Sequence, residues 1–143
     1  LPGDTHEAAE LAQSHDEHLK SEPAFGSGKK RRIRHAIEFR HESCFCEEMV
    51  SLLKKHGVAL VFSDSPGKWP YYEDVTTGFV YLRLHGREAK YRGRYGPEQL
   101  QPWADWLRAH MQAGRDAFVF FDNTDHADDA VRDALEMRAL LGA

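Results

Sequence analysis

Residues 58–66 read VALVFSDSP, and this stretch decides the fold class. An uninterrupted apolar run opens it and a polar Ser-Asp-Ser-Pro segment closes it. A continuous apolar run is typical of a strand buried on both faces of a parallel sheet, whereas strands of antiparallel sheets alternate between apolar and polar residues. The stretch therefore predicts an α/β protein with a parallel sheet.

The same pattern of a short strand followed by a helix repeats on both sides of this stretch. Apolar segments that end in polar residues occupy residues 34–39 (RHAIEF), 78–84 (GFVYLRL) and 116–121 (DAFVFF). Helical spacing follows at residues 46–56, which Gly57 caps, at 99–111, which contain Pro102, and at 127–135. Because crossovers between parallel strands are right-handed, the topology is a doubly wound sheet or a barrel, and we favour the barrel.

Each of these three helices has an apolar face that should pack on the sheet. We expect the buried residues to be Met49, Val50, Leu52 and Leu53 in the first helix, Leu100, Trp103, Leu107 and Met111 in the second, and Ala127, Ala130, Val131, Ala134 and Leu135 in the third.

The chain before the first strand should contain a helix and a basic loop. Asp4 and Glu7 have the spacing of a capping box, which predicts a helix over residues 1–20. Residues 21–33 should form a loop that ends in the basic run 29–32 (KKRR), which we interpret as solvated charge. Residues 34–143 supply the strands and their helices, and the whole chain of 143 residues is expected to form one domain.

Composition and charge limit the classes of protein to be considered. With 41% hydrophobic residues the chain can bury a core, and its net charge of −4 argues against a protein that coats nucleic acid constitutively. No apolar run is long enough to span a membrane and no signal peptide is visible, so we expect a cytoplasmic protein with no membrane partner. Cys44 and Cys46 are too close for an ordinary disulfide and too few for a zinc site, which also favours a reducing compartment.

Alternation along the strands predicts which polar side chains point inward. Glu38 and Arg40 share one face of the first strand, and Tyr81, Arg83 and His85 share one face of the third. We expect these five side chains to point into the barrel near its C-terminal mouth, where active sites of such barrels lie. Since buried charges must be paired, an ion pair between Glu38 and Arg40 or Arg83 is expected.

The remaining strands also end in polar residues, so candidate roles can be assigned. Glu38, His85 and Asp64 are the candidate catalytic residues. The candidate substrate-binding residues are Arg40, His41, Tyr81, Arg83, Arg87, Arg92, Asp122 and Asn123. Carboxylates and imidazoles at one mouth could bind a divalent metal, but no motif such as HExxH supports this, so no metal ligands are assigned.

The loop at residues 85–96 (HGREAKYRGRYG) combines basic side chains, tyrosines and glycines. If the chain contains strands five to eight of a barrel, this loop follows strand seven, where barrels often bind phosphate. Arginine forks match phosphate oxygens, and tyrosines could stack on bases or sugars. A solvated surface loop would have the same composition.

Four segments carry a family resemblance: HAIEFRHES (35–43), GVALVFSDSP (57–66), FVYLRLHGR (79–87) and VFFDNTDHADDAVRDALEMRALL (119–141). They resemble the YecE-like family, domain of unknown function 72. The resemblance implies a (βα)8 TIM-type barrel of roughly twice this length, of which this chain is the C-terminal half with about four βα units. One departure is that the family usually places an aromatic residue directly after the segment EFRH-x-S, whereas here Cys44 lies between Ser43 and Phe45.

Three functions are compatible with these features. The first is an enzyme acting on a phosphorylated or polyanionic substrate, which by analogy of fold would be a phosphoester hydrolase. The second is a protein that binds nucleic acid or nucleotides without catalysis, and the third is a metal-dependent enzyme resembling sugar isomerases. In each case we expect the missing N-terminal half of the barrel, or another copy of the chain, to cover the open sheet edges.

Overall fold

The structure, a computed structural model, describes residues 1–21, 28–65, 71–86, 92–126 and 128–142. The chain divides into two compact units, Leu1–His35 and Ala36–Ala143. No helix in the described residues is long and apolar enough to cross a membrane.

The first unit contains one short helix, α1 (Thr5–Ala12). Asp4 caps it, because its Oδ1 accepts hydrogen bonds from the backbone N–H groups of His6 at 2.9 Å and Glu7 at 3.1 Å. The predicted capping box therefore forms in part, with the Glu7 carboxylate accepting from the N–H of Gly3 at 2.7 Å. The prediction of a helix over residues 1–20 was wrong beyond Ala12: Asp16 accepts from the backbone N–H of His18, a local bond that competes with helix formation.

The basic run of this unit is solvated, as the sequence predicts. Arg31 and Arg32 are exposed, and Lys30 pairs with Asp4 at 2.8 Å while 65% of its own side chain stays in solvent. The hydrogen bond from Lys30 is the main reason that the pKa of Asp4 lies below its ordinary value. Within the predicted loop 21–33, residues 22–27 lie outside the described part of the chain.

The second unit is built on a four-stranded sheet with strands in chain order: β1 (His35–Ile37), β2 (Val58–Asp64), β3 (Phe79–Leu84) and β4 (Asp116–Phe121). A 3-10 turn (Glu42–Cys44) and α2 (Glu47–His56) follow β1, α3 (Gly96–Gln112) follows β3, and α4 (Asp129–Leu141) follows β4. β3 pairs in parallel with both β2 and β4. The predicted α/β fold with a parallel sheet is confirmed.

Several helix boundaries follow the signals in the sequence. Gly57 ends α2 in the left-handed conformation at φ 62°, which a glycine adopts without strain, so the predicted cap is confirmed. α3 begins at Gly96, earlier than predicted, with a proline in its first turn and Pro102 inside it. Its N-terminal turn is anchored by the side chain of Asp133, which accepts hydrogen bonds from the N–H groups of Tyr95 and Gly96.

The hydrophobic core lies between one face of the sheet and α3 and α4. Phe62, Val80, Leu82 and Leu84 point toward the helices, and Leu100, Ala104, Leu107 and Met137 pack against them. Burial of Val50, Leu53, Leu100 and Leu107 matches the prediction.

Among the described residues, the predicted helix faces were wrong at four positions, and the predicted position Ala127 lies outside the described part of the chain. Val131 and Leu135 are 58% and 57% exposed, and Leu52 and Met111 are about half exposed as well. In α4 the buried positions are Asp133 and Met137. Apolar spacing alone did not predict which face of α4 is buried, because a polar side chain with enough hydrogen-bond partners can occupy the buried face.

The side chain of Thr76, which precedes β3, forms hydrogen bonds with the backbone at the start of β2. Its buried hydroxyl accepts from the N–H of Leu60 at 2.9 Å and donates to the carbonyl of Val58 at 2.7 Å. Thr77 is its half-buried neighbour, and its hydroxyl bonds only locally, to the backbone of Phe79.

We expect Thr76→Val to lower the free energy of unfolding by about 1–3 kcal/mol, because it leaves a buried donor and a buried acceptor unsatisfied. Urea denaturation followed by circular dichroism measures the change. Thr77→Val, a control of the same shape change, should cost less than half as much. Equal losses for the two variants would contradict the role given to Thr76.

Candidate active site

Four polar side chains converge where β1, β3 and β4 end. Glu38 follows β1 directly, Arg83 lies near the end of β3, His85 follows β3, and Asp122 follows β4. In register, Arg83 lies opposite Ser63 of β2 and Phe120 of β4. Because paired residues of parallel strands project to the same face, alternation brings Arg83, His85 and Asp122 to one face of the sheet. It is the face opposite to the hydrophobic core.

Arg83 bridges the two carboxylates of this cluster. Its Nη1 lies 2.5 Å from Glu38 Oε2, and its Nε and Nη2 donate to Asp122 Oδ2 at 2.9 Å and 2.7 Å. Arg40 donates to the same Glu38 oxygen at 2.7 Å. The structure thus contains both ion pairs that the sequence offered as alternatives for Glu38.

His85 lies between the same two carboxylates. Its Nε2 is 2.9 Å from Glu38 Oε1, and its Nδ1 is 3.5 Å from Asp122 Oδ2. An ionised carboxylate only accepts hydrogen bonds, so Nε2 carries a proton that it donates to Glu38. The ring is therefore fixed in orientation, with Nδ1 directed at Asp122.

Burial and charge act in opposite directions on the pKa of Glu38. Burial raises this pKa, but the nearby Ser63 hydroxyl, the His85 ring and the Arg83 charge together bring it below its ordinary value of 4.5. Burial also lowers the pKa of Arg83, yet the charges of Glu38 and Asp122 outweigh it and raise this pKa above the ordinary value. Both ions of the pair are therefore charged at neutral pH.

Exposure decides which members of the cluster a substrate can contact. The side chain of His85 is fully buried and that of Glu38 is 9% exposed, whereas Arg83 is 26%, Asp122 27% and Arg40 43% exposed. A bound molecule would meet Arg40, Arg83 and Asp122 first. Glu38 and His85 lie behind them as the layer that orients them.

Tyr81 lies on the same face as Arg83, two residues earlier in β3. Its ring stacks on Phe120 with centroids 4.8 Å apart and planes 10° apart, and on Phe118 at 6.3 Å. Burial is the main cause that raises the pKa of its hydroxyl. Tyr81 and Phe120 form an aromatic floor beside the charged cluster.

Asp64 lies at the same end of the sheet but on the other face. In register it pairs with Leu84, a residue of the hydrophobic core, and it lines a pocket with Tyr71 and Trp103 of α3. The structure does not bring the carboxylate of Asp64 together with Glu38 and His85. Position at a strand end, on which its catalytic assignment depended, does not specify the face.

Asn123 is wholly buried and connects three segments. Its amide nitrogen donates to the Gly93 carbonyl at 3.2 Å and to Asp133 Oδ2 at 2.8 Å. Asp133, also fully buried, further accepts from the N–H groups of Tyr95 at 2.9 Å and Gly96 at 3.2 Å. These bonds give Asn123 a structural role, because they connect the end of β4 to Gly93 and to α4.

Asp133 is a residue that the sequence analysis missed. It lies one turn from Ala130 and Met137, on the face of α4 that carries small and apolar residues. A carboxylate on such a face must find several donors when the helix packs, which was the available signal.

Two other candidate substrate-binding residues, His41 and Arg92, make contacts outside the cluster. His41 caps the 3-10 turn, where its Nδ1 accepts from the N–H of Ser43. Arg92 is 69% exposed and lies 3.5 Å from Asp125. Arg94, which the sequence analysis did not assign to the site, pairs with Asp133 and Glu136. Arg87 and the following residues 88–91 lie outside the described part of the chain.

The two carboxylates already share a cation, because the guanidinium of Arg83 lies between them. Over the described residues, no group of three or more His, Cys, Asp or Glu side chains has the arrangement of a metal site. With a guanidinium between them, the two carboxylates form a donor and acceptor set that suits hydrogen bonding and proton transfer.

Comparison with known proteins gives a family and similar structures. The sequence model of the family described as "Protein of unknown function DUF72" matches residues 5–143. A DUF72 family protein from Thermotoga maritima is 31% identical, with a TM-score of 0.67, and one from Enterococcus faecalis is 23% identical, with a TM-score of 0.68. No curated protein matches the chain.

These structures are longer than this chain. The matched region covers 78% of this chain but only 47% of the Thermotoga maritima protein and 48% of the Enterococcus faecalis protein. The chain therefore spans about half the length of the solved structures that it resembles.

Proposed function

This chain belongs to the DUF72 family, whose function is unknown, and from that premise we propose that it supplies half of a βα barrel with a proton-transfer site for an anionic substrate. The observation that carries the proposal is the position of His85 between Glu38 and Asp122, with Arg83 bridging the same two carboxylates.

The barrel is supported by the order of the strands and by the uncovered sheet face. The strands follow one another in chain order, as they do around a βα barrel. On the face that would line the barrel, Phe120 of β4 is 45% exposed, and Tyr81, on which its ring stacks, is only partly buried. The other half of the barrel would cover these side chains, so it is the partner that we propose for this face.

Binding of the anion is assigned to Arg40 and Arg83. Both guanidinium groups contact Glu38 Oε2, so they lie close together, and both retain exposed surface. Guanidinium forks match the oxygens of a phosphoryl group. A phosphorylated small molecule is thus the substrate class that fits this edge of the site.

Proton transfer is assigned to Asp122, backed by His85. Asp122 is the more exposed carboxylate, and His85 Nδ1 faces it while Glu38 fixes the other ring nitrogen. In hydrolysis of a phosphoester, Asp122 would take a proton from the attacking water. As the water oxygen bonds to phosphorus, the bond between phosphorus and the ester oxygen breaks, and the alcohol leaves with a proton from solvent. His85 and Glu38 are positioning residues in this scheme, because neither reaches the substrate.

Titration of the full-length protein with inorganic phosphate, followed by calorimetry, tests the anion site. We expect Arg40→Gln to weaken binding about 5-fold, the effect of removing one partly exposed charge-assisted hydrogen bond. Arg138→Gln, which removes an exposed charge from α4, is the matched control and should leave binding unchanged. Absence of phosphate binding, or equal losses for both variants, would contradict the proposal.

Turnover is tested with bis(p-nitrophenyl) phosphate and p-nitrophenyl phosphate. Asp122→Asn should lower kcat by about 100-fold or more, because it removes the proton acceptor while keeping the shape of the side chain. A wild-type protein that binds phosphate but hydrolyses neither ester would support the anion site and reject the hydrolase.

A further inference from the structure

The ring of His85 has a carboxylate oxygen near each of its two nitrogens. Glu38 Oε1 lies 2.9 Å from Nε2, and Asp122 Oδ2 lies 3.5 Å from Nδ1. A neutral imidazole has one N–H and can donate to one of these carboxylates, whereas an imidazolium has two and can donate to both. The two carboxylates therefore favour the charged ring, and complete burial of the side chain opposes it. The charge of His85 depends on the balance between these effects.

The polar and titratable groups that face this ring come from all four strands. They are Glu38 and Arg40 after β1, the uncharged Ser63 of β2, Tyr81 and Arg83 of β3, and Asp122 after β4. Despite burial, neighbouring groups hold the pKa of Glu38 below and that of Arg83 above its ordinary value, and burial raises the pKa of Tyr81. Of the residue types in this cluster, histidine is the one that ordinarily changes its charge between about pH 5 and 8.

The charges of the cluster cancel while His85 is neutral. Within the described residues, the carboxylates of Glu38 and Asp122 balance the guanidinium groups of Arg83 and Arg40. Such a site attracts an anion weakly, because each guanidinium already binds a carboxylate. A proton on His85 makes the cluster positive, and complete burial of the ring limits the screening of that charge by solvent.

We propose that protonation of His85 increases the affinity of the site for its anionic substrate, so that binding tightens as the pH falls. The proposal rests on the anion site assigned above to Arg40 and Arg83. The N–H added at Nδ1 would donate to Asp122, whose Oδ2 already accepts from Nε and Nη2 of Arg83. Because Asp122 then shares its charge with the ring, it holds the guanidinium of Arg83 less tightly, and the fork can bind the oxygens of the anion.

Titration of the full-length protein with sulfate at several pH values tests the proposal, since sulfate keeps both of its charges above about pH 3. We expect sulfate to bind about 10-fold more tightly at about pH 5.5 than at about pH 8.5, which is a usual size for coupling between two sites. Because coupling is reciprocal, sulfate should also draw a proton onto the ring. Calorimetry in buffers with different heats of ionisation measures this uptake, which we expect to approach about one proton per sulfate where the neutral ring predominates.

Two variants assign the effect to His85. His85→Gln keeps an N–H for Glu38 but cannot take up a proton, so its affinity for sulfate should change less than about 2-fold over the same range, without proton uptake. His56→Gln removes an exposed histidine at the C-terminal end of α2 and should behave like the wild type. An equal increase of affinity with falling pH in both variants would overturn the proposal.

The outcomes separate this proposal from the anion site on which it rests. Sulfate binding of equal affinity at all pH values would overturn the role of His85 and leave the anion site in place. Absence of sulfate binding at every pH would reject both. If His85→Gln does not fold, proton uptake by the wild type decides in its place, and sulfate binding without uptake of a proton at any pH in the range overturns the proposal.

Discussion

Replacing Asp133 by alanine is expected to lower the free energy of unfolding by about 3–5 kcal/mol, the largest effect predicted for any single substitution in this chain. The carboxylate is fully buried and accepts from the N–H groups of Tyr95 and Gly96, from the amide of Asn123 and from the guanidinium of Arg94. Alanine would leave these buried donors without acceptors, and each unsatisfied donor costs free energy. Denaturation by guanidinium chloride, followed by circular dichroism, measures the loss.

Glu136 provides the matched control for this prediction. It lies on the same helix and also pairs with Arg94, at 2.9 Å, but it is 28% exposed. A partly exposed ion pair is worth about 1 kcal/mol or less, so Glu136→Ala should have a small effect. If the free energies of unfolding of Asp133→Ala and Glu136→Ala differ by less than about 1 kcal/mol, the hydrogen bonds of Asp133 do not anchor α3 and α4.

Replacing Glu38 by glutamine should lower the free energy of unfolding by about 2 kcal/mol at pH 7, because the variant loses the charge that pairs with Arg83 and Arg40. This expected loss is smaller than that for breaking a fully buried ion pair, because Arg83 and Arg40 keep contact with solvent. Glutamine retains one oxygen for the ring of His85, so the shape of the cluster should survive.

The pH dependence of stability separates the charge of Glu38 from its shape. Its pKa in the folded protein is below the ordinary value of 4.5, so ionised Glu38 stabilises the fold above that value. This contribution is lost as the pH falls through the lowered pKa. The wild-type protein should therefore lose more stability than Glu38→Gln on acidification below about pH 5, and the two curves should converge. Glu42→Gln, an exposed control in the 3-10 turn, should show the same dependence of unfolding free energy on pH as the wild type. Parallel pH curves for Glu38→Gln and the wild type would contradict the stabilising role of the Glu38 charge.

Much of the candidate site could be predicted because alternation is a local property of a strand. The spacing of Arg83 and His85 puts them on one face wherever β3 is placed, and Glu38 follows its strand at the same end. Charge pairing then predicts a partner for Glu38, since a buried carboxylate needs one. The ion pairs with Arg40 and Arg83 are both present.

The errors come from features that depend on packing. The helix predicted over residues 1–20 ends at Ala12, where side-chain bonds to the backbone compete with helix formation. In α4, apolar spacing pointed to Val131 and Leu135, whereas the helix buries Asp133. The stability of a buried carboxylate depends on donors from segments that lie about 40 residues away in sequence, as Arg94 and Tyr95 do.

The sequence by itself determined the α/β class, the order of strands and helices, and the set of polar side chains at the strand ends, because apolar periodicity and alternation follow from backbone geometry. Only the tertiary structure decided that Asp64 faces a pocket with Trp103 while His85 lies between Glu38 and Asp122 on the opposite face. It also decided that Arg83 occupies the place between two carboxylates that a metal could have taken. These relations depend on distances between strands and helices, which are fixed when the core packs and the buried charges find their partners.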